Sequence, residues 1–301
     1  MIRTICILSN GSQKLPRHIL HFCENLTSLY GSENVLWYKT KYGGHAITLA
    51  KQCAEAKQDL IIILGGDGMF NEAINGILTS NQPQTLILLL PNGTSNDFCR
   101  SQNFIFEHDK VIYSIQNQMF KRYDVGKVSG KMGDRYFLNV MDIGFGGLAT
   151  ELLDKQRKKG LTGGISYFIA ILRTFFKYKK PTLSITIDGQ NIHPTQTLMV
   201  AICNGPCFGN GLYIHPGACP DDGYFGITIL GNVTLWDYVS NISILKQNKH
   251  IKHNSIQYLS AKNINLQVQN GYAPIETDGE VFGDGNCSIT LLPDVLHILQ
   301  Y

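Results

Sequence analysis

The sequence predicts a doubly wound α/β domain over residues 1–122, then a β-rich, sandwich-like domain over residues 123–301 whose last residues return to the first domain. A cleft between the two is expected to hold the active site. Three observations carry this. Short all-apolar runs alternate with helical patterns over the first 120 residues, as in a parallel sheet covered on both faces. Near residue 122 the pattern changes to short strand-like runs separated by Gly, Asn and Asp turns. Three of the early apolar runs also end in polar, Gly-rich loops, and ligands of parallel sheets bind at the carboxyl ends of strands.

In chain order, strands are expected at Thr4–Leu8, Val35–Tyr38, Leu60–Leu64 and Leu86–Leu90. Helices are expected at Pro16–Tyr30, Gly44–Ala56, Asn71–Thr79 and Asp109–Asn117. The later strands are Tyr123–Val128, Tyr136–Val140, Leu183–Ile187, Leu198–Ile202, Tyr224–Leu230, Ile264–Val268 and Ser288–Leu292. Helices interrupt them at Leu148–Lys159, Ser166–Phe176 and Trp236–Lys246.

With 301 residues, 44% hydrophobic and 16% charged, the chain can bury two cores and is not disordered. A net charge of +3 is too slight to imply nucleic acid. The eight cysteines lack the spacing of a zinc site and read as cytosolic thiols. No run reaches the length of a membrane span, so the protein is expected to be soluble, touching a membrane only at its surface.

Gly65-Gly66-Asp67-Gly68 joins the Leu60–Leu64 run to a helical pattern. Glycines at such a junction let backbone N–H groups approach a phosphate, and a helix N-terminus favours its charge. The carboxylate of Asp67 would repel phosphate unless a cation stood between them. The pattern therefore points to a nucleoside triphosphate with Mg²⁺, and to a kinase. Pro91-Asn92-Gly93-Thr94-Ser95-Asn96-Asp97-Phe98 follows the next strand. There Thr94 is placed to donate to a phosphate, and Asn96 and Asp97 to hold a metal-bound water. Alone, this stretch is also an ordinary helix cap.

Together these residues resemble the diacylglycerol kinase catalytic domain in its bacterial lipid-kinase form, a family that also includes sphingosine and ceramide kinases. Further ordered matches are Tyr123–Val128, Phe137-Leu138-Asn139 through Gly144-Phe145, and Asn204 with Gly209-Asn210-Gly211. Ala218–Phe225 and Thr277-Asp278-Gly279-Glu280 complete them. The resemblance implies that Thr40, the loop Gly65, Gly66, Asp67, Gly68, Met69, Phe70 and Asn71, and Thr94 bind ATP. Asp67 and Asp97 would organise the catalytic Mg²⁺, with Asp124 in the same acidic network. Asp222 by carboxylate, with Cys219 and Tyr224 by backbone carbonyl, would hold a second, structural Mg²⁺. Glu280 would be the general base, a role that suits a positioned carboxylate. Read locally, Asp278-Gly279 is also a favoured hairpin turn.

The family pattern is broken in two places. Met69 replaces a threonine, and Asn10-Gly11-Ser12 lacks the proline and second glycine of the first-strand loop, so Asn10 is carried over only as a weak nucleotide contact. His45 reads as a helix-start residue.

The resemblance implies an ATP- and Mg²⁺-dependent lipid kinase, acting on diacylglycerol or on another acceptor such as phosphatidylglycerol, a sphingoid base or a prenol. The rivals are a soluble-substrate kinase of NAD or fructose 6-phosphate, which shares Gly-Gly-Asp-Gly, and a catalytically silent lipid-binding protein. A homodimer is implied by the family alone. Residues 154–180 hold eight basic residues and one acidic one, a net of +7, around the apolar Leu161–Phe176. They read either as a surface that docks on anionic membrane or as a core-facing helix with solvated lysines. The expected location is cytoplasmic and peripheral to a membrane.

Overall fold

The computed structural model describes residues 2–161 and 163–301, and the side chains of all of these except 164, 165, 193 and 194. Thr162, inside the basic-flanked segment, lies outside the described residues. The chain divides into two compact units, one running up to Val125 and resuming at Pro293–Tyr301, the other Gly126–Leu292.

The first unit contains β1 (Ile5–Asn10), α1 (Arg17–Tyr30), β2 (Val35–Thr40), α2 (His45–Glu55), β3 (Leu60–Gly65), α3 (Asp67–Leu78), β4 (Leu86–Pro91), α4 (Asp97–Ser101), α5 (His108–Asn117) and the start of β5 (Phe120–Gly130). Its strands are parallel in the order β2-β1-β3-β4. Beyond β4, His297 and Ile298 pair in parallel with Leu86 and Ile87. β1, β3 and β4 are apolar at nearly every position because both faces are covered, whereas β2 at the sheet edge is largely exposed. Ile5, Ile7, Ile62, Leu64, Leu88 and Leu90 pack with Phe22 and Leu26 of α1 and with Val111 and Ile115 of α5.

Alternate residues face the other way. There Cys6 of β1 is joined to Cys53 of α2 as a disulfide. This corrects the expectation that all eight cysteines are thiols: residues 47 apart in sequence are brought together as the helix packs on the strand. On α3, a Cβ at Gly76 would stand 2.2 Å from the Ile47 carbonyl oxygen of α2, so glycine is what lets the two helices touch.

Two differences from the expected elements matter for the site. α3 begins at Asp67 rather than Asn71, because an extended Gly66 serves as its N-cap and places Asp67 in the first turn. The short α4 was not foreseen.

The second unit holds β6 (Gly133–Phe137), β7 (Val140–Gly144), α6 (Phe145–Arg157), α7 (Gly163–Lys177), β8 (Thr182–Ile187), β9 (Gln190–Gln196), β10 (Met199–Cys203), β11 (Cys207–Phe208) and β12 (Leu212–Tyr213). It continues with β13 (Phe225–Leu230), α8 (Leu235–Leu245), β14 (Ile256–Ala261), β15 (Asn263–Asn270), β16 (Pro274–Thr277), β17 (Glu280–Asp284) and most of β18 (Cys287–Leu299). An antiparallel sheet runs β14-β13-β10-β7-β16-β17. β15 pairs with β8 and β18, β8 with β9, and β5 with β6. Met141, Ile143, Val200, Ile202, Phe225 and Ile227 of the first sheet pack against Leu183, Ile185, Ile264, Leu266 and Ile289 of the others. This is the predicted sandwich. The opposite face of the six-stranded sheet, through Ala201 and Cys203, is covered by Phe145, Ala149 and Ile171 of α6 and α7 and by Leu245 of α8. No helix among the described residues is long and apolar enough to cross a membrane.

Candidate active site

In the first unit the two predicted loops meet backbone to backbone. The Asn92 N–H donates to the Gly65 carbonyl (2.6 Å). A Cβ at Gly93 would stand 2.5 Å from the Gly66 Cα, and one at Gly66 2.9 Å from the Gly93 Cα. Glycine at both positions is thus a packing requirement. Asn96, in the left-handed region at φ 49°, accepts from the Gly93 N–H (3.0 Å) and donates to the Gly93 carbonyl (2.9 Å). Its amide braces the loop. Thr94 stands exposed at the tip.

Asp67 Oδ1 lies 3.4 Å from the Phe98 N–H at the start of α4. Asp97 is buried, with Arg100 Nη1 3.8 Å from its Oδ1. The two acids therefore flank one helix start. Gly68 is half-buried, whereas the Phe70 and Asn71 side chains are buried, so a ligand at this loop would meet the backbone of 70 and 71 only. Met69 folds back over Gly65, where a Cβ would stand 2.7 Å from the Met69 Cβ and Sδ. Its thioether thus covers the strand end.

Thr40 ends β2, and its Oγ1 accepts from the Gly11 N–H (3.4 Å). The side-chain Oδ1 of Asn10 accepts from the Ser12 N–H (2.9 Å) and hydroxyl (2.7 Å), an Asx turn that closes its own loop. His45 opens α2, as expected, and its Nδ1 accepts from the Lys41 N–H (3.1 Å). Glu72, which the sequence reading does not single out, caps α2 by accepting from the Gly44 (2.8 Å) and Ala46 (3.2 Å) N–H groups. Asp124, on β5, is buried and accepts from the Asp294 N–H (2.9 Å).

In the second unit Glu280 sits at the mouth of a tight hairpin. Thr277 and Glu280 pair across it, with Asp278 (φ 48°) and Gly279 (φ 85°) as the turn. Two successive positive φ values are what a two-residue turn of this hand needs. Asp278 then fastens the turn to the strand opposite: its Oδ2 accepts from Leu138 (2.7 Å) and its Oδ1 from Asn139 (2.9 Å) and Val140 (3.0 Å). This explains why one predicted strand, Tyr136–Val140, is two: residues 138–140 turn their N–H groups to a side chain. Arg135 Nη2 donates to Glu280 Oε2 in an ion pair. No sequence pattern marks Arg135, which stands 145 residues away.

Cys219, Asp222 and Tyr224 fall on one exposed turn, where Asp222 Oδ1 accepts from the Tyr224 N–H (2.9 Å). The Cys219 thiol donates to Asp221 Oδ1 (2.8 Å). Partial burial and that carboxylate push its pKa up to about 11, so the sulfur stays protonated and only the backbone carbonyl suits a hard cation. Among the described residues no three His, Cys, Asp or Glu side chains converge on one point. One or two carboxylates and several waters are what Mg²⁺ takes, and Asp67 with Asp97, or Asp222 with its neighbouring carbonyls, fit that donor set.

Residues 5–128 match the family model of the diacylglycerol kinase catalytic domain. Residues 139–300 match that of the YegS C-terminal NAD kinase beta sandwich-like domain. A diacylglycerol kinase of Staphylococcus carnosus (strain TM300) is 28% identical over 248 residues, covering 82% of this chain and 78% of that protein. Another from Staphylococcus saprophyticus subsp. saprophyticus is 28% identical over 249 residues, covering 82% and 78%. In fold, a crystal structure of a diacylglycerol kinase from Bacillus anthracis str. Sterne superposes with a TM-score of 0.71 at 22% identity, covering 99% of this chain and 97% of that one. An NAD kinase from Archaeoglobus fulgidus, in complex with ATP, superposes with a TM-score of 0.55 at 12% identity, covering 99% and 93%. With the two family models lying end to end along it, the chain belongs to the diacylglycerol kinase-like family of lipid kinases and is itself a kinase.

Proposed function

We propose that the chain transfers the γ-phosphoryl group of ATP to the hydroxyl of a membrane lipid, with diacylglycerol as acceptor and Glu280 as general base. The observation that carries this reading is the fastened hairpin. Glu280 stands on a turn held by three N–H donors through Asp278, with Arg135 orienting one carboxylate oxygen. Phosphoryl transfer asks mostly for alignment and charge neutralisation, so a fixed carboxylate is worth more than a mobile one. The acceptor hydroxyl gives its proton to Glu280 as transfer proceeds. Phosphate contacts come from backbone N–H groups of residues 65–71, from Thr40 and from the exposed Thr94. Asp67 and Asp97 would hold Mg²⁺, while the Asp222 carboxylate with the Cys219 and Tyr224 backbone carbonyls would hold a second ion. Mg²⁺, when bound, neutralises charge on the phosphates.

Diacylglycerol as acceptor draws on the names of the staphylococcal relatives. A surface contact with membrane draws on α6 and α7: Lys155, Lys158 and Lys159 are exposed, as are Leu161, Phe168 and Phe176. On this reading the protein is cytoplasmic and peripheral.

The test is radiolabelled ATP with lipid acceptors in mixed micelles, run beside NAD and fructose 6-phosphate. Label in phosphatidic acid is expected. Label in another lipid alone would move the acceptor, and label in a soluble substrate alone would overturn the lipid reading.

A further inference from the structure

We propose that Glu276 is a positioning residue: hydrogen-bonded to Asp142 through one oxygen and to the Gly279 N–H through the other, it ties the Glu280 turn to the start of α6. The inference rests on the reading of Glu280 as the base.

Asp142 and Glu276 stand directly opposite each other where β7 pairs with β16, so their side chains share a face and meet. Both are buried, at 0% and 2% exposure. Glu276 Oε2 accepts from the Gly279 N–H (2.7 Å), inside the hairpin that carries Glu280. Asp142 Oδ1 accepts from the Gly147 N–H (3.2 Å), in the first turn of α6. A Cβ at Gly146 would stand 1.9 Å from Asp142 Oδ2, so only glycine there leaves room for the carboxyl. The remaining oxygens, Asp142 Oδ2 and Glu276 Oε1, are buried and accept no N–H or O–H among the described residues, so a proton on one carboxyl is what lets these two facing acids bond to each other.

Two acids in that contact cannot both be ionised, so they share a proton. Asp142 keeps the charge, because it faces the N–H groups of Gly146 and Gly147 at a helix N-terminus, where an anion is favoured. Glu276 keeps the proton. Burial, then the Asp142 charge, push Glu276 well above the carboxylate range, and Asp278 adds to this. Burial raises Asp142 to about 6 against the pull of its hydrogen bonds. Tyr178 and Cys203 face Asp142, and Cys203 also faces Glu276; burial raises both, so they stay neutral. The neutral Glu276 thus donates to Asp142 and accepts from Gly279 at once, a bridge that neither an ionised nor an apolar side chain can make.

Two variants separate positioning from mere burial. Glu276→Gln keeps a donor and an acceptor but does not titrate, and Glu276→Leu removes both. For Glu276→Leu, kcat is expected to fall about tenfold or more, with the KM for ATP within about twofold, since loss of alignment acts on the transfer step. For Glu276→Gln, kcat at pH 7 is expected within about threefold of the parent. Thermal unfolding supplies a second readout. The pair binds protons that unfolded carboxyls release near pH 4, so its stabilisation is complete below that pH and falls as pH rises through about 6 and beyond. The Tm of Glu276→Gln relative to the parent is therefore expected to climb between pH 5 and 8. Parent-like kcat in Glu276→Leu, equal damage in the two variants, or parallel Tm curves would each overturn the proposal. If Glu276→Leu does not fold, the Gln variant's kcat and Tm decide. Turnover in a Glu280→Ala enzyme would remove the base and leave the Tm comparison standing. A dead Glu280→Ala beside a fully active Glu276→Leu would remove the positioning role alone.

Discussion

Glu280 is the residue on which turnover is expected to depend most. In Glu280→Ala, turnover should be lost while calorimetric binding of Mg-ATP is retained, and near-normal turnover would sink the assignment. Asp278 carries a different burden. Its carboxylate satisfies three N–H groups, and hydrogen bonds to charged groups contribute about 1.5–3 kcal/mol each but do not add fully. Asp278→Ala should lower stability by roughly 3 kcal/mol in urea titration and reduce kcat as well. An unchanged midpoint would show that the strand needs no such fastening. The sequence made Glu280, Asp67 and Asp97 visible because each lies in a short contiguous pattern. Arg135, Asp142 and Glu276 were not legible, because their partners are set by strand register across more than a hundred residues. Asp142 looks like an ordinary polar residue in a strand until β16 is laid beside β7.

Elements with strong periodicity were legible, and their ends less so. β1, β3 and β4 are apolar over their buried lengths because both faces are covered, which no surface strand would tolerate. α3 was placed four residues late, since the glycines that precede it hide a helix start from any propensity argument. β9, β11, β12, β14, β16 and β17 were missed: short or half-polar strands carry little period-two signal when their neighbours decide the pairing. The segment from α6 to α7 is where charge can be tested. Lys155, Lys158 and Lys159 are exposed near the C-terminal end of α6, and each basic side chain near an anionic surface is worth about 1 kcal/mol. Reversing all three to Glu should weaken binding to anionic vesicles at low salt more than tenfold. Unchanged binding would assign these lysines to solvent.

For the whole molecule, ligand linkage gives the broadest check. Mg-ATP at about a hundred times its Kd should stabilise the folded chain by about 2.7 kcal/mol, read as a rise in Tm. EDTA should abolish that rise if the metal is part of nucleotide binding. A rise that persists in EDTA would mean that the loops of residues 65–71 and 92–97 hold the nucleotide without a cation. The two-texture pattern of the sequence captured the α/β and sandwich character, because it reflects which faces each sheet buries.

The chain leaves the first unit after Val125 and comes back at Pro293. His297 and Ile298 pair with β4, Leu299 joins that unit's core, and the Tyr301 hydroxyl donates to the Leu89 carbonyl. A ribosome therefore delivers the loops of residues 65–71 and 92–97 early but must carry the β-rich unit to its end before the flank of β4 is covered. A transcript cut short at Leu292 would yield the whole second unit beside a first unit with a bare sheet edge. An unpaired edge of that kind is a ready template for pairing with another chain, so residues 293–301 also guard the first unit against aggregation.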